Sequence, residues 1–133
     1  MTLDPAVGAA LGRAKRMYLT TFATNGRSGT VPVWFMTRDG VLYFTTLRTS
    51  LKARRIHATG RVHVALGRRD GPSFDGKAEW VDGRPDLERA VIDAYRGKYP
   101  LAVPLFMGWW IGRRLADKRS VLIRITPEAG VAA

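Results

Sequence analysis

Apolar and polar residues alternate along several short stretches of the chain, which is the pattern of half-buried β-strands. The alternation is clearest over 61–68 and 73–81, where one face is mostly apolar and the other mostly polar. Further stretches are rich in β-branched and aromatic residues, namely 16–24, 30–37, 41–46 and 119–126. Turn-forming sequences separate neighbouring stretches at Asn25-Gly26, Arg38-Asp39-Gly40 and Asp70-Gly71-Pro72. The pattern therefore predicts six strands, largely joined by hairpins.

Helical signals mark four segments between and around these strands. The clearest segment begins near Pro85, and its apolar face is formed by Leu87, Ala90, Val91, Ala94 and Tyr95. A helix is also predicted over 50–59 with Ser50 as its N-cap, and another after Asp4-Pro5. The last candidate helix covers 104–116.

Hairpin-linked strands with a few inserted helices predict an antiparallel β-barrel of the α+β class. The chain has 133 residues, the usual size of one domain, and shows no linker, internal repeat or low-complexity tract. We therefore expect residues 1–133 to form a single domain. A barrel this small fills its interior with side chains, so a ligand would bind outside it or between two barrels.

The composition excludes several kinds of chemistry. The chain has no cysteine, which excludes disulfide scaffolds, thiolate zinc sites, iron–sulfur clusters and cysteine nucleophiles. The two histidines are His57 and His63, so we do not expect a multi-histidine metal site within one chain. The patterns G-x-x-x-x-G-K-[ST] and G-x-G-x-x-G are absent, and nothing resembles the nucleophile elbow of hydrolases.

The charge balance is strongly basic and uneven. There are 22 Lys and Arg residues against 11 Asp and Glu, a net charge of +11. Residues 48–69 contain seven basic residues and no acidic one. This balance predicts a polyanionic partner, which could be a phosphorylated ligand, a nucleic acid or an anionic membrane. A nucleic-acid-binding barrel is the remote alternative, because the strand aromatics precede the basic segment and do not alternate with it: Tyr18, Phe22, Trp34, Tyr43 and Phe44.

The residues around the start of the helix at 50–59 suit a phosphate group. A helix N-terminus presents unpaired backbone N–H groups and the positive end of the helix dipole. Lys52 adds a charge, and Arg55, three residues later, lies on the same helix face. The hydroxyls of Thr45, Thr46 and Ser50 could donate hydrogen bonds. The alternative is an exposed amphipathic helix whose cap is only structural.

Five short stretches, taken in order, resemble the pyridoxamine 5'-phosphate oxidase-like split β-barrel family. They are Leu19-Thr20-Thr21-Phe22, Asn25-Gly26-Arg27, Pro32-Val33-Trp34-Phe35, Leu42-Tyr43-Phe44-x-Thr46 and Ser50-x-Lys52-Ala53-x-Arg55-Ile56. The resemblance covers about 15–81 well and is greatest to the branch that uses the deazaflavin coenzyme F420. The helix ending in Tyr95-x-x-Lys98-Tyr99 and the closing Thr126-Pro127 also fit.

The resemblance implies a homodimer of six-stranded antiparallel split β-barrels, with two cofactor sites between the protomers. The cofactor phosphate would lie against Thr45, Thr46, Ser50, Lys52 and Arg55. The ring system would lie along the second strand, where backbone groups of Val31, Pro32, Val33 and Trp34 contact it. Pro32 fits there because proline cannot donate to a β-ladder and so marks an edge or an interruption.

The implied reaction is hydride transfer between coenzyme F420 and an unsaturated small-molecule substrate, and the resemblance assigns no catalytic residue. Coenzyme F420 and FMN both carry a phosphate that suits Lys52. The glutamate tail of F420 adds carboxylates that the basic segment 48–69 could attract, which favours F420. The alternatives are an FMN-binding oxidoreductase and a non-catalytic flavin-binding protein of the same fold.

Two further expectations concern location and packing. The first residues lack the basic and apolar regions of an export signal, so we expect a cytoplasmic protein. The most apolar run, 101–111, is shorter than the roughly 20 residues that span a bilayer. This run would pack in the dimer or barrel, or else form an aromatic wall over the substrate or a membrane-surface contact.

Overall fold

The computed structural model describes residues 5–98 and 119–128. Within them the chain forms three helices and seven strands. In chain order these are α1 (Pro5–Arg13), β1 (Met17–Phe22), β2 (Ser28–Val33), β3 (Met36–Arg38), β4 (Val41–Leu47), α2 (Leu51–Thr59), β5 (Arg61–Leu66), β6 (Ser73–Val81), α3 (Pro85–Lys98) and β7 (Ser120–Pro127).

The seven strands form one curled antiparallel sheet with the order β2-β1-β5-β6-β7-β4-β3. The helices lie around this sheet, which confirms the predicted α+β class. β2 and β3 follow each other along the chain but lie at opposite edges of the sheet.

The sequence predicts six strands, whereas the described residues form seven. The stretch 30–37, predicted as a single strand, ends as β2 at Val33 and resumes as β3 at Met36. β2 pairs with β1, whereas β3 pairs with β4 at the far edge. The chain crosses over at Trp34 and Phe35, and Phe35 is fully buried in the core. Pro32 lies on the edge strand β2, where its missing N–H does not interrupt a central ladder.

The inner face of the sheet, together with α1 and α2, forms the main core. Alternate residues of three strands contribute to it as the sequence predicts: Val62, Val64, Leu66, Phe74, Ala78, Val121, Ile123 and Ile125. Ala53 and Ile56 attach α2 to the same core, and the helix contacts both β1 and β6. This packing fixes where the start of α2 lies relative to the sheet.

The outer face is covered by α3 over part of the sheet. Leu87, Val91 and Tyr95 form a second buried cluster there with strand residues that include Leu122. The rings of Trp34 and Tyr95 meet edge-on with their centroids 5.8 Å apart, and the Tyr95 hydroxyl donates to the Trp34 carbonyl at 3.1 Å. β7 is therefore covered on both faces, whereas β2 is mostly exposed on both.

The candidate helix over 104–116 and the apolar run 101–111 lie outside the described residues. Among the residues that the structure does describe, no helix is both long and apolar enough to cross a membrane.

Candidate functional site

The start of α2 is attached to the end of β4 through hydroxyl groups. Ser50 is the N-cap, and its Oγ accepts a hydrogen bond from the Ala53 N–H at 3.2 Å. The Thr46 Oγ1 lies 3.1 Å from the same Ser50 Oγ. Ser50 is thus the cap that the sequence predicts, and Thr46 helps to orient the helix N-terminus.

A cleft of about 160 Å³ lies between the first turns of α2 and the β1–β2 hairpin. It is lined by Thr21, Gly29, Val31, Leu51, Lys52 and Arg55. Val31, Lys52 and Arg55 are predicted site residues that the structure brings together here. Lys52 and Arg55 share the face of α2 that borders this cleft, as their spacing predicts. We call it the α2 cleft.

The Arg55 side chain reaches across the α2 cleft toward β2. Its Nη1 would lie 3.2 Å from a Cβ atom built onto Gly29. Its Nε is buried and has no hydrogen-bond partner among the described residues. Most buried polar groups in folded proteins are hydrogen-bonded, so an unpartnered buried donor needs an explanation. A ligand that accepts hydrogen bonds would provide one.

Two other arginines also have a buried Nε without a hydrogen bond, but their guanidinium groups are engaged with acids. Arg48 forms an ion pair with Asp82, and the Arg124 Nε lies 3.4 Å from a carboxylate oxygen of Glu79. Within the described part of the chain, Arg55 forms no such pair. Its charge is therefore available in the α2 cleft.

Lys52 is half-buried beside Arg55. Partial removal of its ammonium group from water disfavours the charged form and lowers the pKa of Lys52 below its ordinary value. None of the residues that line the cleft is acidic, so the lining does not compensate for this penalty. A bound anion would compensate and would raise the pKa of Lys52 again.

Thr21 adds a hydroxyl to the α2 cleft. It is 3% exposed and lies opposite Gly29 in the β1–β2 register. The other inward positions of β1, Met17 and Leu19, are apolar, so a hydroxyl here departs from the pattern of the strand. Thr21, Lys52 and Arg55 together give the cleft three side chains that can donate hydrogen bonds.

The rest of the cleft border is apolar. Val31 is 40% exposed and Leu51 is 53% exposed, and Leu47 just before the helix is 41% exposed. A basic cleft bordered by exposed apolar side chains suits a ligand with an anionic group attached to an apolar body.

The other predicted site residues lie away from the cleft lining. Thr45 faces the opposite side of β4 from Thr46, because successive residues of a strand alternate between faces. Pro32 is exposed, Val33 packs against the main core and Trp34 packs against α3. Contacts of all the predicted site residues with a cofactor, including those that line the cleft, stay a prediction.

Residues 3–131 match the family of pyridoxamine 5'-phosphate oxidase. The chain belongs to this family. No curated protein matches it. The predicted family is confirmed, whereas membership of its F420-using branch stays a prediction.

Solved structures of other proteins with the same fold align over most of this chain. The haem storage protein HutZ from Vibrio cholerae is 18% identical, with a TM-score of 0.70 over 98% of this chain and 93% of its own. An F420 reductase is 24% identical, with a TM-score of 0.64 over 91% and 92%. An FAD-binding protein from Mesorhizobium loti is 20% identical, with a TM-score of 0.68 over 96% and 92%. At such low sequence identities, the structural similarity establishes only that the fold is shared.

In this member of the family, Trp80 on β6 supports α2 from the sheet. Its indole Nε1 donates to the Ala53 carbonyl at 2.9 Å. Its ring stacks on His57, with the centroids 4.4 Å apart, and the Arg48 guanidinium carbon lies 5.3 Å from its centroid. Trp80 therefore holds the first turns of α2 in place and engages Arg48 outside the cleft lining.

His63 lies elsewhere on the sheet, with its Nδ1 2.9 Å from a carboxylate oxygen of Asp75. Within 5–98 and 119–128, no group of three or more His, Asp or Glu residues could hold a metal ion.

A larger groove of about 430 Å³ lies along β5, β6 and β7, with Arg61, Lys77 and Glu79 in its lining. Arg61 and Lys77 face each other in the β5–β6 register, and both are exposed. This groove mixes acidic and basic side chains. The α2 cleft, which has no acidic lining, therefore suits a phosphate better.

Proposed function

We propose that the chain binds the phosphate of coenzyme F420 in the α2 cleft and acts as an F420-dependent oxidoreductase. The observation that carries this proposal is the donor set of the cleft, with Thr21, Lys52 and Arg55 and no acidic side chain in the lining. The unpartnered Nε of Arg55 fits an anionic group, since charged acceptors form the strongest hydrogen bonds with guanidinium.

Each part of the cleft contributes differently to phosphate binding. Lys52 supplies a compact charge, and Arg55 supplies planar donors that match the geometry of phosphate oxygens. Helix geometry leaves the N–H groups of Leu51 and Lys52 without intrahelical acceptors, so they too can donate to an anion. Ser50 and Thr46 do not line the cleft but orient this helix start.

The cleft is too small for a whole coenzyme. Its volume of about 160 Å³ is below the roughly 300–1,000 Å³ of pockets that enclose drug-sized ligands. We infer that the phosphate occupies the cleft and that the ring system lies along β2 near Val31 and Pro32. β2 is an edge strand, so its free backbone groups can contact a planar ring. A second copy of the chain would cover the exposed side of that ring, and we therefore propose a homodimer.

A bound deazaflavin would supply the hydride for reduction of an unsaturated substrate. The residues of the chain bind and orient it. Lys52 and Arg55 hold the phosphate, the edge of β2 orients the ring, and Val31 and Leu51 exclude water from its surroundings.

Charge favours F420 over FMN. Segment 48–69 has seven basic residues and no acidic one, and it can attract the carboxylates of the F420 tail. We expect F420 to bind more tightly than FMN and to lose more of its affinity with added salt. The reason is that exposed charges are screened over a Debye length of about 8 Å at physiological ionic strength, whereas the phosphate contact in the cleft is partly buried.

The test is a pair of titrations at low and high salt, following coenzyme absorbance and fluorescence. Tighter binding of F420, with an advantage that shrinks in salt, supports the proposal. If FMN binds more tightly at both salt concentrations, or both ligands lose affinity equally, the F420 assignment fails.

The second candidate is FMN, as the redox coenzyme or as the ligand of a non-catalytic flavin-binding protein. The α2 cleft supports FMN as well, because the donors in its lining would bind the phosphate that FMN carries. That contact does not involve a carboxylate tail. Turnover separates an enzyme from a binding protein. An enzyme oxidises its reduced coenzyme faster when an unsaturated acceptor is added, whereas a binding protein leaves that rate unchanged.

A further inference from the structure

We propose that Gly29 determines the preference of the α2 cleft for a phosphorylated ligand, because its missing side chain provides the space that Arg55 enters. This inference rests on the proposed function of the cleft. It assigns a specificity-determining role to a residue of β2 that itself offers no charge or side-chain donor.

The space beside Gly29 is used by Arg55 alone. A Cβ atom on Gly29 would lie 3.2 Å from the Arg55 Nη1, which is closer than an ordinary van der Waals contact. Apart from chain neighbours, no other described atom comes within 4 Å of that position. A Cβ atom at position 29 would therefore push the guanidinium group by a few tenths of an ångström. A larger, branched side chain would push it further.

The backbone itself does not require glycine at this position. Gly26 and Gly60 have φ angles of 88° and 70°, a region that favours glycine, but Gly29 is not among the positive-φ residues. Glycine inside a strand weakens the strand, and its presence often marks a site where another group approaches closely. The group that approaches here is Arg55.

Displacement of Arg55 would remove one donor from the cleft and leave the others. The Arg55 Nε has no hydrogen-bond partner among the described residues, so no bond at that atom would resist a shift of the side chain. Lys52 and Thr21 would still line the cleft, and Val31 would still border it. A substitution at 29 should therefore weaken contacts with phosphate and leave contacts with an uncharged ring along β2.

The test compares each coenzyme with its own dephosphorylated form: FMN with riboflavin, and F420 with its ring–ribityl portion. The ratio of the two dissociation constants isolates the phosphate contact. Gly29→Ala should reduce the preference for the phosphorylated form. Gly29→Val should reduce it by about tenfold or more, approaching Arg55→Ala, since a charged hydrogen bond is lost. Affinity for the dephosphorylated form should stay the same.

Ser28→Val is the matched control, because it adds the same side chain to the same edge strand at a position outside the cleft lining. It should leave the ratio unchanged. In the Arg55→Ala background, Gly29→Val should have no further effect. The inference is overturned if Gly29→Val keeps the wild-type ratio, or if it lowers the ratio equally with and without Arg55.

Inorganic phosphate gives a second readout that does not depend on which coenzyme binds. The NMR signal of the Arg55 Nε–H, assigned with Arg55→Lys, should shift on phosphate addition in the wild type and not in Gly29→Val. Such a result in a chain that binds neither coenzyme would contradict the proposed function and support this inference. Equal shifts in both proteins, or no shift in the wild type, would overturn the inference.

Discussion

β7 and β2 belong to the same sheet, but their surroundings are opposite. β7 lies between β6 and β4, with Ile123 in the main core and Leu122 under α3, both fully buried. β2 lies at an edge, and Val31 on it is 40% exposed. The comparison separates residues that hold the sheet together from residues that are available to a ligand or a second copy of the chain.

An exposed edge strand is also a hazard, because its free backbone groups can pair with another chain. β2 carries Pro32, which lacks an N–H, and Gly29, which has low strand propensity, and both limit such pairing. Gly29 also lines the α2 cleft, and Pro32 lies on the proposed path of the coenzyme ring. Protection of the edge and the proposed binding at the edge therefore involve neighbouring residues of the same strand.

The largest expected effect is the difference in the free energy of unfolding between a variant in β7 and a variant in β2. Ile123→Ala should lower the free energy of unfolding by about 2–5 kcal/mol, because it leaves a cavity in the main core. Val31→Ala should lower it by less than about 1 kcal/mol, because Val31 is already partly in water. Denaturant unfolding measures both values, and similar losses in the two variants would refute the contrast between β7 and β2.

Lys52→Ala should weaken coenzyme binding by about 1.5–3 kcal/mol, the range for a hydrogen bond to a charged group. The free energy of unfolding should change little, because the half-buried ammonium group carries a desolvation penalty that the variant removes. Lys15→Ala is the matched control, since Lys15 is an exposed lysine outside both the cleft lining and the basic segment 48–69. Unchanged coenzyme affinity in Lys52→Ala would place the phosphate elsewhere.

Ser50→Ala tests whether the helix start must be fixed for binding. Loss of the N-cap should lower the free energy of unfolding by about 1 kcal/mol. Coenzyme affinity should fall as well, because the N–H groups of Leu51 and Lys52 lose their orientation. Thr49→Ala, at an exposed position next to the cap, should change neither value. A destabilised Ser50→Ala variant with normal affinity would assign the cap a structural role only.

The smallest expected effect is a dependence of the coenzyme affinity on pH. A phosphate binds the protonated ammonium, so the pKa of Lys52, lowered in the free protein, should rise on binding. Affinity should therefore be constant below the free-state pKa of Lys52 and decline as the pH rises through it. Lys52→Arg should keep its charge and show a flatter profile. The same decline in Lys52→Arg would mean that another group titrates.

The interior of the fold could be predicted from the sequence because its signals are local. Alternation along β5, β6 and β7 identifies their inward faces, and Ser50 marks the start of α2. The crossover between β2 and β3 could not be predicted in this way. Both strands have the same apolar character, and only their pairing partners, β1 and β4, distinguish them.

The candidate site also contains both residues that could be predicted from the sequence and residues that could not. Lys52 and Arg55 could be predicted because helical spacing places them on one face of α2. Thr21 and Gly29 were missed because they reach the cleft only through the packing of the β1–β2 hairpin on α2. Two signals were present for them: a hydroxyl among the apolar inward positions of β1, and a glycine inside a strand.

The position of the coenzyme phosphate in a structure of the loaded protein tests the central claim most directly. We expect the phosphate within hydrogen-bonding distance of the Lys52 Nζ and the Arg55 guanidinium, with the ring system along the edge of β2. A phosphate bound instead between Arg61 and Lys77 in the larger groove, or a ring that does not contact β2, would contradict the claim.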